Sequence, residues 1–486
     1  MQIKTYIFQD LQLNIDYLNR RFEDCNDIIK KRFQIGTRRN HACYLLYTDG
    51  LVDYVMIQDN VIRPLLIDPL KEYPDSVENW IIESADRRKL FDMEEAITNI
   101  LAGNTLLFFD GCDFAIMVSS KKFPSRGIQT PDEEVSIRGP KDSFNESLRF
   151  STALIRRRIR DTRLKVEQLQ VGVRSKTDVA LMYMKDLVRP EIIHQIRTEL
   201  DQICVDGILD SGMLEQFLEK KVNSPFPQYQ HTQRPDKVSS GILEGRIALV
   251  VDNSPEVLLL PVTWNVFFQA GDDYYNRWEA ATFGRLLRYA AAMIAIGLPG
   301  FYIAVADFHT DVIPTDLILF FAKARESVPF PVVIEVLMME IAFELLREAG
   351  IRLPGQLGGT IGIVGGLIVG QAAVEAGLVS TIVVIVVALT AIASFSVPSE
   401  SFRSAFRLLK FGMIAACALW GLYGYFLGFL AILIHLCSLE SYGVPYLSPV
   451  VGGGERKDDL VRMPWRMLKM RPAFTRSDAR RRQNRK

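Results

Sequence analysis

The chain has 486 residues, too many for one ordinary domain, and its 57 Lys and Arg balance 57 Asp and Glu. With no net charge, no global field draws it toward nucleic acid or anionic lipid. Apolar residues make up 49% of the chain but are unevenly spread: they alternate with charges up to about Asp273, then form long runs from Leu286 to Leu436. That pattern predicts a soluble domain followed by a membrane domain.

The opening stretch MQIKTYIFQD has neither an apolar core nor a cleavage site, so no signal peptide is expected and the soluble part is expected on the cytoplasmic side. Six cysteines (Cys25, Cys43, Cys112, Cys204, Cys417, Cys437) are scattered without close pairs and read as reduced structural thiols. The five histidines show no metal spacing. No phosphate-binding glycine loop or catalytic motif is present, so nothing argues for an enzyme or a cofactor.

The soluble part reads as α/β in two lobes, residues 1–160 with a connecting helix and residues 161–284. GNTLLFFDGCDFAIMVSS is a strand, a turn at Asp110-Gly111 and a strand; EGRIALVVDNSPEVLLLPVTW repeats the pattern with its turn near Asn253. Between them, Ser143 and Glu146 have capping-box spacing for a helix. The basic run Arg156-Arg157-Arg158 falls inside that helix, either as a solvated face or as a contact for an acidic partner or anionic head groups. LVRPEIIHQIRTELDQICVDGILDSGMLEQFLEK supplies helices of the second lobe. The proline-rich stretch around His231 reads as a surface loop with a solvated histidine.

Residues 285–440 read as a helical membrane domain with about four crossings plus re-entrant or interfacial pieces. The first span, about Leu286 to Ala306, follows Arg285 and Arg288, which puts its start inside the cell. Pro299-Gly300 is expected to kink it. VIPTDLILFFAKARESVPFP is too short an apolar run to cross alone. The next helix carries Glu335, Glu340, Glu344 and Glu348, the last three on one face. A carboxylate at the bilayer centre costs about 2.5–3.5 kcal/mol, so these border water, pair with arginines such as Arg347 or Arg352, or line an aqueous path. A β-branched span follows at Ile382 to Val397, and the last crossing runs from Phe411 to Leu436. Residues 441–486 form a basic tail, expected on the cytoplasmic side and disordered toward its end. One crossing between the basic loop at Arg403 and Arg407 and this tail would put them on opposite sides, against the positive-inside rule. An even number of crossings keeps both termini inside and leaves the Arg403 loop as the misfit.

Between the carboxylates and the β-branched span lies GGTIGIVGGLIVGQAAVEAGLVS. Gly358, Gly362, Gly366 and Gly370 form one smooth helical face suited to close helix packing. The opposite face collects Thr360, Val364, Gln371 and Glu375, and the last two need water or a partner. One reading packs several copies around an axis with these four toward a central path. The other packs the helix inside one subunit, with Gln371 and Glu375 bonded to neighbours.

The run from PFPVVIEVLMMEIAFELLREAG to QAAVEAGLVS resembles the A subunit of the GerA-type nutrient receptors of bacterial spores. So do RGPKDSFNESLRFSTALIRRRI, VDNSPEVLLLPVTWNVFFQ and SFSVPSESFRSAFRLLKFGMIAA. The match spans nearly the whole chain except the first 40 residues and the tail. The resemblance implies a two-lobed α/β domain facing the spore core and a multi-pass domain in the spore inner membrane. It also implies a B subunit resembling an amino-acid transporter, a C subunit lipoprotein, and a homo-oligomeric ring forming a ligand-gated channel for ion release. The nutrient is then held by the B subunit. The alternative function is a scaffold or transporter subunit that supports its partners.

Overall fold

The computed structural model describes residues 5–35, 41–67, 87–122, 134, 138–351, 366, 368–451, 458–472, 475, 481 and 482. They form two compact units: Met1–Lys220 with Tyr229–Val262 and Leu468–Lys486, and Lys221–Gln228 with Thr263–Met467.

The first unit is α/β and contains two antiparallel five-stranded sheets of the same topology. The first holds β1 (Ile28–Ile35), β2 (His41–Thr48), β3 (Arg87–Leu90), β4 (Thr105–Phe109) and β5 (Ala115–Val118) in the order β1-β2-β4-β5-β3. The second holds β6 (Leu164–Val171), β7 (Thr177–Met184), β8 (Gln230–Thr232), β9 (Ile247–Val251) and β10 (Val257–Leu260) in the order β6-β7-β9-β10-β8. Central strands read as unbroken apolar runs because both faces of the sheet are covered. Along β2, Tyr44 and Leu46 enter one core with helices α1 (Leu11–Arg21) and α2 (Met93–Leu101). Cys43, Leu45 and Tyr47 enter the other with Ile57, Val61 and Leu65. The period of two thus sorts one strand into two cores. Both expected hairpin turns form, with Gly111 at φ 82° and Asn253 at φ 66°.

Three local expectations are overturned by tertiary contacts. Ser143 does not cap a helix: its hydroxyl donates to the Gln233 carbonyl at 3.1 Å. Helix α3 (Leu148–Arg158) starts after Ser147, because the β9–β10 turn holds the preceding chain extended through Asn253 N to Glu146 O at 2.7 Å and Leu148 N to Asp252 Oδ1 at 3.0 Å. Arg156 is not on a solvated face. It is fully buried, binds Asp27 through Nη2 at 2.9 Å, and donates to the Asp161 and Leu164 carbonyls at 3.1 Å each, joining the two sheets. Arg158 pairs with Asp142. The stretch around His231 is not a loop: it forms edge strand β8, followed by a helix, Pro235–Leu243. Part of the tail docks on the end of that helix, where free carbonyls attract cations. Arg471 Nε donates to Leu243 O at 2.9 Å, Thr475 Oγ1 to Glu244 O at 2.7 Å, and Arg482 pairs with the Glu244 carboxylate.

The second unit is helical: α4 (Trp278–Ile303), α5 (Thr315–Arg325), α6 (Val332–Ile351), α7 (Thr381–Phe395) and α8 (Glu400–Ser438), with a helical stretch at 368–375. Among the described residues two helices are long and apolar enough to cross a membrane, Trp278–Phe308 and Glu400–Ser438. The first runs on through Pro299, and Gly297 and Gly300 keep its surface low where residues of α8 approach. A Cβ at Gly297 would lie 2.8 Å from Tyr425 Oη, and one at Gly300 would lie 2.9 Å from Cys417 Sγ. Small residues serve such close approach of helices.

Helix α8 is not one rod, which corrects the single crossing expected from Phe411 to Leu436. Gly421, at φ 56° and ψ −136°, reverses the chain, and arms 400–420 and 422–438 form a helical hairpin. In a straight helix, residues 402 and 435 would lie roughly 50 Å apart at 1.5 Å per residue. Instead, Phe402 and His435 both lie against Phe226, with ring centroids 5.7 and 6.0 Å away. Arg403 and the start of the tail therefore share one end of the hairpin.

Candidate functional site

Helix α6 is built from good helix formers but places three carboxylates among apolar neighbours, and each is met by a cation from another helix. Glu335 and Glu340 are buried. Glu335 Oε1 lies 3.2 Å from Arg325 Nε at the end of α5, and its Oε2 accepts from Ser380 N at 2.8 Å. Ser380 also caps α7, so this one carboxylate fixes two helix ends.

The second centre lies about one and a half to two and a half turns further along α6. Lys410 Nζ, from the first arm of the hairpin, is 2.6 Å from Glu340 Oε2 and 3.3 Å from Glu344 Oε1. Arg407 Nη1 and Arg347 Nη1 approach Glu344 Oε2 less closely, at 3.8 and 4.0 Å. Thr390 and Ser394 of α7 complete the wall of a small cavity of about 10 Å³, room for about one water. Removing either member of a charge pair so placed would leave an uncompensated buried charge, which is costly. The arrangement is therefore a latch that couples α6 to the hairpin.

The structure brings Glu340 and Glu344 together and sets Glu335 apart. The expected arginine partners are only partly right: Arg347 is peripheral, and Arg352 lies outside the described residues. Lys410 and Arg325 went unrecognised. A signal for Lys410 exists, since Arg403, Arg407 and Lys410 recur at spacings of four and three and share one helix face. Of the glycine segment, Gly358, Thr360, Gly362 and Val364 lie outside the described residues. Gly366 faces Phe343, and a Cβ at Gly370 would lie 3.2 Å from Val384 Cγ1, so these two pack within the subunit. Gln371 Nε2 donates to Glu375 Oε1 at 3.0 Å, and both side chains are exposed.

A further titratable pair sits in the first unit. His231 Nε2 is 3.1 Å from Glu215 Oε2, and its Nδ1 is 3.7 Å from Glu256 Oε2, so this histidine is not solvated as expected. Burial, with the charges of Glu219 and Glu256, pushes the Glu215 carboxyl from 4.5 up to about 8. Burial also lowers the His231 imidazole below its ordinary 6.5. Both shifts favour the uncharged forms of the two groups. A carboxyl raised in the folded state stabilises fully below its unfolded value, and that contribution is lost as pH rises through about 8. Residues 1–280 expressed alone are expected to give an α/β circular dichroism spectrum. Their urea midpoint is expected to fall from pH 6.5 to 8 as the Glu215 carboxyl loses its proton. Glu215→Gln keeps a donor to His231 and should flatten that fall; an unchanged slope in the variant would exclude Glu215 as its origin.

A family model described as Bacillus/Clostridium GerA spore germination protein matches residues 16–474. The uncharacterized membrane protein YfkQ of Bacillus subtilis (strain 168) is 40% identical over 472 residues, covering 96% of this chain and 91% of its own. Spore germination protein KA of the same strain is 40% identical over 473 residues, covering 96% of this chain and 87% of its own. The solved N-terminal domain of the A subunit of the Bacillus megaterium spore germinant receptor GerK3 is 28% identical. It aligns with 54% of this chain and 99% of that one at a TM-score of 0.44.

Proposed function

Since the chain belongs to the GerA family of spore germination proteins, we propose that it is the A subunit of a nutrient germinant receptor in the spore inner membrane. Its task is to turn nutrient binding into ion release across that membrane. The observation that carries this reading is the Lys410–Glu340–Glu344 latch inside an apolar helical unit. Ionisable residues in such a setting are expensive to bury and serve ion paths or switching elements by default.

In this reading several copies assemble around an axis. Thr360, Val364, Gln371 and Glu375 line the path between them, and the exposure of Gln371 and Glu375 agrees with that role. The chain enters and leaves the membrane domain on the core side, so an even number of crossings puts the α/β lobes and the basic tail together. A transporter-like B subunit holds the nutrient and a lipoprotein C subunit completes the complex; neither nucleic acid nor a cofactor is involved. A second reading, a scaffold subunit without an ion path, is favoured by the packing of Gly366 and Gly370 against Phe343 and Val384 of the same subunit. Spores lacking this chain should stay dormant toward at least one nutrient that germinates the parent, and regain the response when the gene is restored. Equal germination across a broad nutrient panel would contradict a receptor role.

A further inference from the structure

We propose that the arginines between the end of α6 and the first arm of the hairpin hold the phosphate of an anionic phospholipid. The cluster contains four cations, Arg347, Arg403, Arg407 and Lys410, and three nearby carboxylates, Glu340, Glu344 and Glu400. Lys410 takes the close contacts of Glu340 and Glu344, Arg403 takes Glu400, and Arg407 Nη2 donates to Ser404 Oγ and lies 3.6 Å from Glu400 Oε1. That leaves guanidinium donors over. Nη2 of Arg347, whose side chain is only 10% exposed, has no hydrogen-bond partner among the described residues; nor have Nε of Arg403 and Nε of Arg407. The two contacts to Glu344 Oε2, at 3.8 and 4.0 Å, are beyond hydrogen-bond range.

Buried donors without acceptors cost free energy, and planar guanidinium forks match phosphate oxygens in pairs. The adjoining cavity, about 10 Å³, is too small for a phosphate, so the headgroup belongs at the arginine rim. Leu345, Phe395 and Leu408, exposed on the same three helices, offer an apolar surface beside the cations for acyl chains. Arg403 adjoins Phe402, so the cluster lies toward the end of the hairpin marked by Phe402 and His435. Basic pockets between membrane helices on that side of a bilayer bind anionic head groups. A free phosphate ion would use the same forks but would gain nothing from the apolar flank.

The proposal rests on the membrane reading, and the test separates the two. Full-length protein is purified in nonionic detergent, and native mass spectrometry follows binding of phosphatidylglycerol, phosphatidylcholine and inorganic phosphate. Phosphatidylglycerol is expected to bind at least tenfold more tightly than phosphatidylcholine. Arg347→Gln and Arg407→Gln should each weaken it about fivefold, the effect of one cation near a charged headgroup. Arg347→Lys and Arg407→Lys, milder should a Gln variant misfold, keep the charge and should retain most of the preference. Arg163→Gln, in the soluble unit, should change nothing. Equal binding of the two lipids, full binding by the Gln variants, or displacement of the lipid by millimolar phosphate would each overturn the lipid site. Protein that enters phosphatidylcholine vesicles yet shows no preference refutes only this site; protein that enters no vesicle refutes the membrane reading as well.

Discussion

Lys410→Met is expected to be nearly absent from the spore membrane, whereas Lys410→Met combined with Glu340→Met should accumulate almost normally. The lysine ammonium is the close partner of Glu340, whose side chain is 2% exposed. Removing one member of a buried pair leaves an uncompensated charge and costs roughly 3–5 kcal/mol, while replacing both by apolar groups of similar volume is often neutral. Against a typical total of about 5–15 kcal/mol, the single change removes a large share of stability. Glu344, at 3.3 Å from the same nitrogen, would lose a contact in either variant but keeps Arg407 and Arg347 nearby. Thermal unfolding of the purified proteins and immunoblots of spore membranes measure the effect. A single variant as stable as the parent would show that Lys410 does not hold the latch.

The hairpin predicts an equally large effect from glycine. Gly424→Leu is expected to abolish the folded subunit, while Gly412→Ala should leave it intact or slightly more stable. A Cβ at Gly424 would overlap the Ala416 carbonyl, part of the opposing arm's backbone, which cannot step aside as a flexible side chain could. Overpacking of a core typically costs about 1–3 kcal/mol and more where backbone must shift. At Gly412 a Cβ would meet nothing within 4 Å, so only helix propensity changes, by about 1 kcal/mol in favour of alanine. The same thermal measurement reads both. Were Gly424→Leu to unfold at the parental temperature, the arms could not be packed as described.

These two features mark where sequence reasoning stopped. The turns at Asp110-Gly111 and near Asn253 were legible because turn chemistry is local. The α/β class followed from apolar runs such as TLLFF and IALVV between such turns, and the family from motifs on both sides of the soluble–membrane boundary; the match over residues 16–474 agrees on the family but extends into the first 40 residues and the tail, which sequence reading had set outside it. Ser143 misled because its capping signal is local while the β9–β10 turn that overrides it lies a hundred residues away. Arg156 looked solvated for the same reason, since its partner Asp27 lies just before β1 of the other sheet. In ALWGLYGYFLG hydropathy stays high through Gly421, and hydropathy carries no information about chain direction. Glu340 pointed to a buried partner, but choosing Lys410 over Arg347 needed the hairpin that brings residues 340 and 410 together.

The central proposal is that the glycine-stripe segment lines an ion path, in which an apolar ring at Val364 would close the path by excluding water. Ion efflux from liposomes containing the purified parent or Val364→Ser protein, with insertion verified, tests it most directly. A polar ring hydrates the constriction, and a bias of about 1.4 kcal/mol against the closed state changes the open–closed ratio tenfold. Efflux through Val364→Ser is therefore expected to exceed that of the parent at least tenfold. If both proteins insert equally and the vesicles remain equally tight, this segment is not the gate and the scaffold reading takes its place.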